Sequence, residues 1–179
     1  MKLKVFISSV QREFERVRKD LKAFLLGDAV LHRFISEVFL FEELPARDRR
    51  ADEVYLEEVR RCDIYLGIFD YDYGNEDKEG ISPTEREYDY ASKLGKTRLI
   101  YVWGTDEKHR STKMKALIQK ATGELIRRRV GDMSALTAEV YASLVDYLDS
   151  KGMLRIPPFD TSPCDNASLS DLSRKRVEW

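Results

Sequence analysis

The sequence predicts an α/β fold built on a mainly parallel sheet, because short apolar runs alternate with amphipathic helical patterns. The run at residues 63–69 is apolar enough to predict a central strand that is covered on both faces. The first helical pattern places its apolar residues four, three, four and three positions apart, at Val10, Phe14, Val17, Leu21 and Phe24.

Five strands and five helices are predicted in alternation. Strands are expected at residues 3–7, 38–41, 63–69, 98–103 and 125–130. Helices are expected at 10–24, 52–61, 83–94, 113–121 and 134–150, with a short helical connection at 29–35 and polar loops at 42–50 and 70–80. Ser82 with Pro83 starts the third helix, Gly95 ends it, and Ser134 is expected to cap the fifth.

Composition narrows the function classes. The 179 residues are 42% hydrophobic and 35% charged, which is typical of one globular domain with a substantial core. A net charge of −1 predicts neither direct nucleic-acid binding nor attraction to an anionic membrane. No apolar run approaches the ~20 residues that a membrane-spanning helix needs.

Metal and thiol chemistry is disfavoured by the few residues that would carry it. Cys62 and Cys164 lack metal-ligand spacing and are interpreted as free thiols in a reducing compartment, by default the cytoplasm. His32 and His109 are too far apart to suggest a metal site or a histidine-based triad. We therefore expect no metal and no cofactor.

The helical pattern ends near Gly152 and a proline-containing segment follows, which predicts a domain boundary. Residues 1–152 are expected to form the α/β domain, and residues 153–179 a proline-containing linker and the start of a truncated C-terminal region. The chain is thus interpreted as the N-terminal piece of a longer protein.

Glu87 is the leading candidate for a functional residue. Ser82 and Glu85 have the spacing of a capping box, so helix capping alone explains both. Glu87 shares a helix face with Ala91 and Leu94, which predicts an inward-facing carboxylate at the sheet edge where α/β proteins bind ligands. The alternative is a carboxylate held by a nearby Arg or Tyr for structure.

Other polar residues are expected at the same edge. Ser8 and Ser9 end the first strand, where the following helix could bind a phosphate, although simple capping by Ser9 explains it equally well. Arg47 could bind phosphate or be part of a solvated basic loop. Asp70 and Tyr73 follow the third strand, in a loop whose glycines suggest a mobile lid; packing of the turn is the alternative for the tyrosine.

Several short motifs occur in a characteristic order: Val5-Phe-Ile-Ser-Ser9, Phe41-Glu-Glu-Leu-Pro45, Asp52-Glu-Val-Tyr55, Cys62-Asp-Ile-Tyr-Leu-Gly67, Tyr73-Gly74 and Ser82-Pro-Thr-Glu-Arg-Glu-Tyr88. Together they resemble a bacterial TIR-like domain of unknown function, found at the N-terminus of multidomain signalling and RecG-like regulatory proteins. The resemblance covers roughly residues 3–150. It implies a flavodoxin-like, TIR-like three-layer sandwich with strand order 2-1-3-4-5, and self-association through the full-length protein.

The segment Thr84-Glu-Arg-Glu87 also resembles the Gly-Thr-x-x-Glu element of nucleoside 2-deoxyribosyltransferases, whose Glu is the nucleophile. NAD-cleaving TIR domains place a Glu in the matching helix. These likenesses imply a catalytic role for Glu87, but not the substrate contacts, because Ser82-Pro83 stands where the transferases have an Asp-x-Gly stretch. Ser82 and Thr84, at the start of the same helix, are our own candidates for contacts to a nucleotide-type small molecule.

Two functional hypotheses follow. In the first, a nucleotide-binding domain of a larger signalling or anti-phage defence protein cleaves the N-glycosidic bond of NAD, its substrate. One carboxylate suffices, because nicotinamide leaves as a neutral molecule and needs no proton donor. In the second, the domain is a non-enzymatic self-association or protein-interaction module that regulates a C-terminal DNA-binding or NTPase effector.

Overall fold

A five-stranded parallel sheet forms the centre of the computed structural model, which describes residues 2–46 and 48–154. The strands are β1 (Leu3–Ser8), β2 (Ile35–Phe39), β3 (Ile64–Phe69), β4 (Thr97–Trp103) and β5 (Arg128–Val130). Their order is β2-β1-β3-β4-β5, and every neighbouring pair is parallel. The predicted fold class and strand order are confirmed.

The described residues form five α-helices, which follow the strands as the sequence predicts: α1 (Gln11–Gly27), α2 (Ala51–Arg61), α3 (Pro83–Lys93), α4 (Thr112–Glu124) and α5 (Met133–Ser150). Short 3₁₀ turns occupy Leu31–Arg33 and Phe41–Glu43. Among the described residues, no helix is both long and apolar enough to cross a membrane.

The helices cover both faces of the sheet. On one face, α2, α3 and α4 pack against an aromatic core in which the rings of Phe6 and Tyr65 are stacked and Tyr88 meets both Tyr65 and Phe69 edge-on. On the other face, Phe14 of α1 packs edge-on against Trp103. All six residues of β3 are buried, which explains the apolar run that predicted a central strand.

Two strand predictions need correction. The second strand was expected at residues 38–41, but β2 begins at Ile35, where it pairs with Leu3, and ends at Phe39 because the chain turns into the 3₁₀ turn at Phe41. The fifth strand was expected from residue 125, but β5 begins at Arg128 because Leu125 still bonds to Ala121 at the end of α4.

The start of α5 and the buried face of α1 also differ from the prediction. Asp132, not Ser134, caps α5, because its carboxylate accepts the N–H of Ala135. Along α1 the buried residues are Phe14, Arg18, Leu21 and Leu25, whereas Val17 and Phe24, which were predicted on the inward face, are half-buried. This shift places a charged residue, Arg18, on the buried face.

The predictions for the two cysteines and for the domain boundary can be compared with the described residues only in part. Cys62 is a free, buried thiol as expected, and burial raises its pKa to about 12. Cys164 and nearly all of the predicted linker and C-terminal region lie outside the described residues. The boundary at residue 152 therefore stays a prediction.

The carboxyl ends of the parallel strands meet at one sheet edge, where α1 and α3 begin. Ser8 ends β1 directly before α1, and Ser82 caps α3 after the loop that follows β3. This edge lies within the compact unit that ends at Ser143. It holds the candidate site.

Candidate functional site

Glu87 faces inward from α3, as predicted. Ser82 accepts the N–H of Glu85 at 3.3 Å and Pro83 occupies the first turn, which starts α3 so that its second turn brings Glu87 over the end of β1. Glu87 is 8% exposed, and the hydroxyl of Ser8 donates to its Oε2 at 2.5 Å. Oε1 accepts no hydrogen bond from the described residues, and Glu87 lines a pocket.

Burial is the dominant influence on the Glu87 carboxyl group. It raises the pKa of Glu87 to about 7, against the opposing effects of the Ser8 hydrogen bond and the positive charge of Arg18. The negative charge of Glu42 raises the pKa further. Both protonation states are therefore populated near neutral pH, as for carboxyl groups that exchange protons or stabilise a transient positive charge.

The pocket beside Glu87 has a volume of about 300 Å³. The first turn of α1, the loop at Gly74 and Asn75, and the starts of α2 and α3 surround it. Its lining comprises Phe6, Ser9, Val10, Gln11, Arg12, Arg18, Phe41, Ala51, Tyr55, Gly74, Asn75, Pro83, Thr84 and Glu87. Of the predicted site residues, Ser9, Thr84 and Glu87 therefore share one pocket, and Ser8 contacts it through Glu87.

Arg18 and Glu42 form a buried ion pair at this pocket that the sequence reasoning missed. Arg18 Nε and Nη2 donate to both carboxylate oxygens of Glu42, at 2.9 and 2.8 Å, and both side chains are under 10% exposed. Arg18 Nη1 also donates to the backbone oxygen of Ser9 at 3.0 Å. The sequence did contain a sign that Arg18 is buried, because it lies four residues after Phe14 and three before Leu21, on the same helix face.

Aromatic rings form another part of the pocket. Phe41 and Tyr55 meet edge-on, with ring centroids 6.4 Å apart, and Phe6 lies on the sheet beneath. Tyr55, on the inward face of α2, is buried. The pocket thus joins an apolar wall to one carboxylate, a combination suited to a ligand with a flat ring.

Asp70 does not line the pocket. Its side chain is buried with Arg110, whose Nε donates to the Asp70 backbone oxygen at 3.0 Å and whose Nη2 lies 3.5 Å from the carboxylate. Arg110 Nη2 also donates to the backbone oxygen of Trp103, at 2.8 Å. This buried pair joins the ends of β3 and β4, so its observed contacts are structural.

Tyr73 and Ser82 serve the start of α3. The Tyr73 hydroxyl donates to the Glu85 carboxylate and accepts the backbone N–H of Ser82 at 3.3 Å. In a capping box, Glu85 itself would bond to that N–H. Tyr73 thus stands between the two partners, and the predicted box forms only in the direction from Glu85 N–H to Ser82.

The loop between β3 and α3 is held by ion pairs along its length. Arg86 binds Asp77 and Glu79, and Lys113 binds Glu76 at 2.8 Å. Its residues Gly74 and Asn75 reach the pocket, and Gly74 has the positive φ of 88° that glycine adopts readily. Movement of this loop as a lid stays a prediction. Arg47 lies outside the described residues.

Within residues 2–46 and 48–154, no group of three or more His, Cys, Asp and Glu side chains is arranged to hold a metal ion. The groups at the pocket that could take part in chemistry are the Glu87 carboxyl group with its Ser8 partner, the Arg18–Glu42 ion pair and, at the exposed edge, Arg12.

Comparison with known families and structures adds three observations. The family model described as "Domain of unknown function (DUF4062)" matches residues 4–145. The structure of a CMP N-glycosidase, BcmB, from Clostridium botulinum is similar with a TM-score of 0.50 and 12% identity, over 78% of this chain and 98% of that one. A GDP·AlF4⁻-bound Era variant from Aquifex aeolicus has a TM-score of 0.43 and 15% identity, over 82% of this chain and 57% of that one.

No curated protein matches the sequence. At these identities the structural likeness shows the fold alone.

Proposed function

The chain belongs to the DUF4062 family, and from that premise we propose that its pocket binds a nucleotide-type molecule and cleaves an N-glycosidic bond, with Glu87 as the catalytic carboxylate. The observation that carries the proposal is the buried Glu87, which is held by Ser8 through one oxygen and lines the pocket. The fold is compatible with this class of reaction, because the similar Clostridium botulinum structure is that of a CMP N-glycosidase.

NAD is the first candidate substrate. The bond between the ribose C1′ and the nicotinamide nitrogen breaks, and its electron pair leaves with the ring, which becomes neutral. Oε1 of ionised Glu87 stabilises the positive charge that develops at C1′. Water then adds to C1′ and releases one proton, so the products are nicotinamide, ADP-ribose and H⁺.

Ser8 supports the proposed catalytic role of Glu87 through its hydrogen bond to the carboxylate. Its hydroxyl holds Oε2 and favours the ionised form of Glu87, which is the form that stabilises a cation. The TIR-like resemblance of the motifs extends the proposal to a role within a larger signalling or defence protein, in which the remaining part responds to the state of this domain.

The test measures nicotinamide release from NAD by the full-length protein and by its Glu87→Gln variant. Glutamine keeps the shape and the acceptor for Ser8 but cannot carry the charge, so we expect release to fall at least a hundredfold, on the order of the loss for one stabilising group. Glu85→Gln, two residues away on the capping side, is the matched control and should retain activity. Full activity in Glu87→Gln would refute the catalytic assignment.

Binding of NAD without any release would favour the alternative, a binding module that transmits its ligand state to a partner domain.

A further inference from the structure

The size of the pocket limits how much of a ligand it can enclose. Its volume of about 300 Å³ lies at the lower end of the range for small-molecule sites, roughly 300–1,000 Å³. One base with its ribose fits such a space, whereas two nucleosides joined by a pyrophosphate do not.

The interior walls suit a base and a sugar rather than a phosphate. The edge-on pair of Phe41 and Tyr55 offers a surface for a flat ring, and Glu87 offers an acceptor for sugar hydroxyl groups. Arg18 is the cation inside the pocket, but Glu42 neutralises it through two hydrogen bonds. With Glu87 also negative above neutral pH, the interior disfavours an anion.

The rim of the pocket, unlike its interior, can accept an anionic group. Arg12 lines the pocket from the first turn of α1, and its side chain is 67% exposed. Its Nε binds Asp72 at 2.5 Å, whereas its two Nη groups make no hydrogen bond to the described residues. Gln11 also lines the pocket there, and the first N–H groups of a helix have no partner within the helix. Asp72 offsets part of the Arg12 charge, but an anionic group that leaves the interior at this point still meets the Nη groups of Arg12 and the first N–H groups of α1.

From these contrasts we infer that the pocket takes one nucleoside 5′-monophosphate unit, with the base against Phe41 and Tyr55, the ribose at Glu87 and the phosphate at Arg12. The inference rests on the proposed function, because it concerns the ligand of the same pocket. Its consequence for NAD is specific: the nicotinamide mononucleotide half is enclosed, and the adenosine half extends into solvent.

Calorimetric titration of the Glu87→Gln protein, which prevents turnover, tests the inference with nicotinamide riboside, nicotinamide mononucleotide and NAD. We expect the mononucleotide and NAD to bind with affinities within threefold of each other. The riboside should bind about tenfold more weakly, the equivalent of one charge-assisted hydrogen bond of roughly 1.4 kcal/mol.

Arg12→Ala in the same background should remove that tenfold preference for the phosphate while changing riboside affinity less than twofold. Arg16→Ala is the matched control, because Arg16 is 93% exposed one turn further along α1 and does not line the pocket. It should leave all three affinities unchanged.

Three results would overturn the inference: NAD binding tenfold or more tightly than the mononucleotide, an Arg12→Ala effect equal for all three ligands, or no binding by the mononucleotide. The proposed cleavage fails independently, through absence of nicotinamide release by the unmutated full-length protein. Mononucleotide binding without cleavage would therefore leave this inference standing and refute only the enzymatic proposal.

Discussion

Replacing Glu87 with glutamine should stabilise the protein above neutral pH. The folded protein holds this carboxyl group with a pKa of about 7, against an ordinary value of 4.5. The folded state therefore binds the proton more tightly than the unfolded state does. The contribution of Glu87 to stability is fully present below pH 4.5 and is lost as the pH rises to about 7.

A pKa of about 7 in place of 4.5 corresponds to roughly 3.5 kcal/mol over the whole titration, at ~1.4 kcal/mol for each tenfold change in proton affinity. Glutamine does not titrate and keeps an acceptor for Ser8, so the Glu87→Gln protein escapes this loss. Its stability relative to the unmutated protein should therefore rise by about 3 kcal/mol between pH 4 and pH 8. Urea unfolding of both proteins at pH 4, 5, 6, 7 and 8 measures it, and the pH dependence of all other groups cancels in the difference.

Glu124→Gln provides a control of opposite sign. Glu124 binds Arg98, which lowers the pKa of Glu124, so the unmutated protein gains stability from this group as the pH rises. Its glutamine variant should lose stability relative to the unmutated protein as the pH rises to about 4.5, and the difference should then stay constant through the range in which Glu87 titrates. A Glu87→Gln difference that does not change with pH, or a variant that is less stable at every pH, would refute the reasoning and favour a structural role for the carboxylate.

Four further predictions concern the surroundings of the site. Glu85→Ala should cost about 1 kcal/mol in urea unfolding, because the Tyr73 hydroxyl that accepts the Ser82 N–H at the start of α3 loses the carboxylate to which it donates, with ligand affinity unchanged in titration; loss of activity would make Glu85 the functional residue. Ser8→Ala should move the acidic limb of the pH–rate profile to higher pH, because the Ser8 hydrogen bond lowers the pKa of Glu87 and its removal raises that pKa; an unmoved limb would contradict this. Arg18→Met alone should cost about 3–5 kcal/mol by leaving Glu42 buried without its partner, whereas a double variant that also carries Glu42→Leu should recover most of it; equal losses would argue against the pairing. Light scattering and a nicotinamide assay should find the 179-residue chain monomeric or weakly dimeric at micromolar concentration with negligible NAD turnover. The sequence analysis predicts a longer protein, which should be more associated; a tight, active oligomer of the chain alone would contradict this.

The sequence determined the sheet and the inward position of Glu87, because both depend on local periodicity. The apolar run of β3 reflects burial on both faces, and the signal Ser82-Pro83 marks the start of α3 without tertiary information. Once that start is known, the 3.6-residue period places Glu87 on the side of Ala91, which is fully buried. Boundaries such as that of β2 were less accurate, because pairing with Leu3 decides where that strand begins.

Only the tertiary structure decided which side chains meet. Ser8 and Glu87 are 79 residues apart in the chain, and they touch because β1 and β3 are neighbours under α3. The same packing pairs Arg18 with Glu42 at the pocket and turns Asp70 away toward Arg110. Residue type and spacing specify that a polar group lies at the sheet edge. Its partner, its exposure and hence its pKa depend on the three-dimensional arrangement of several elements, because desolvation and hydrogen bonding act over a few ångströms of space and not along the sequence.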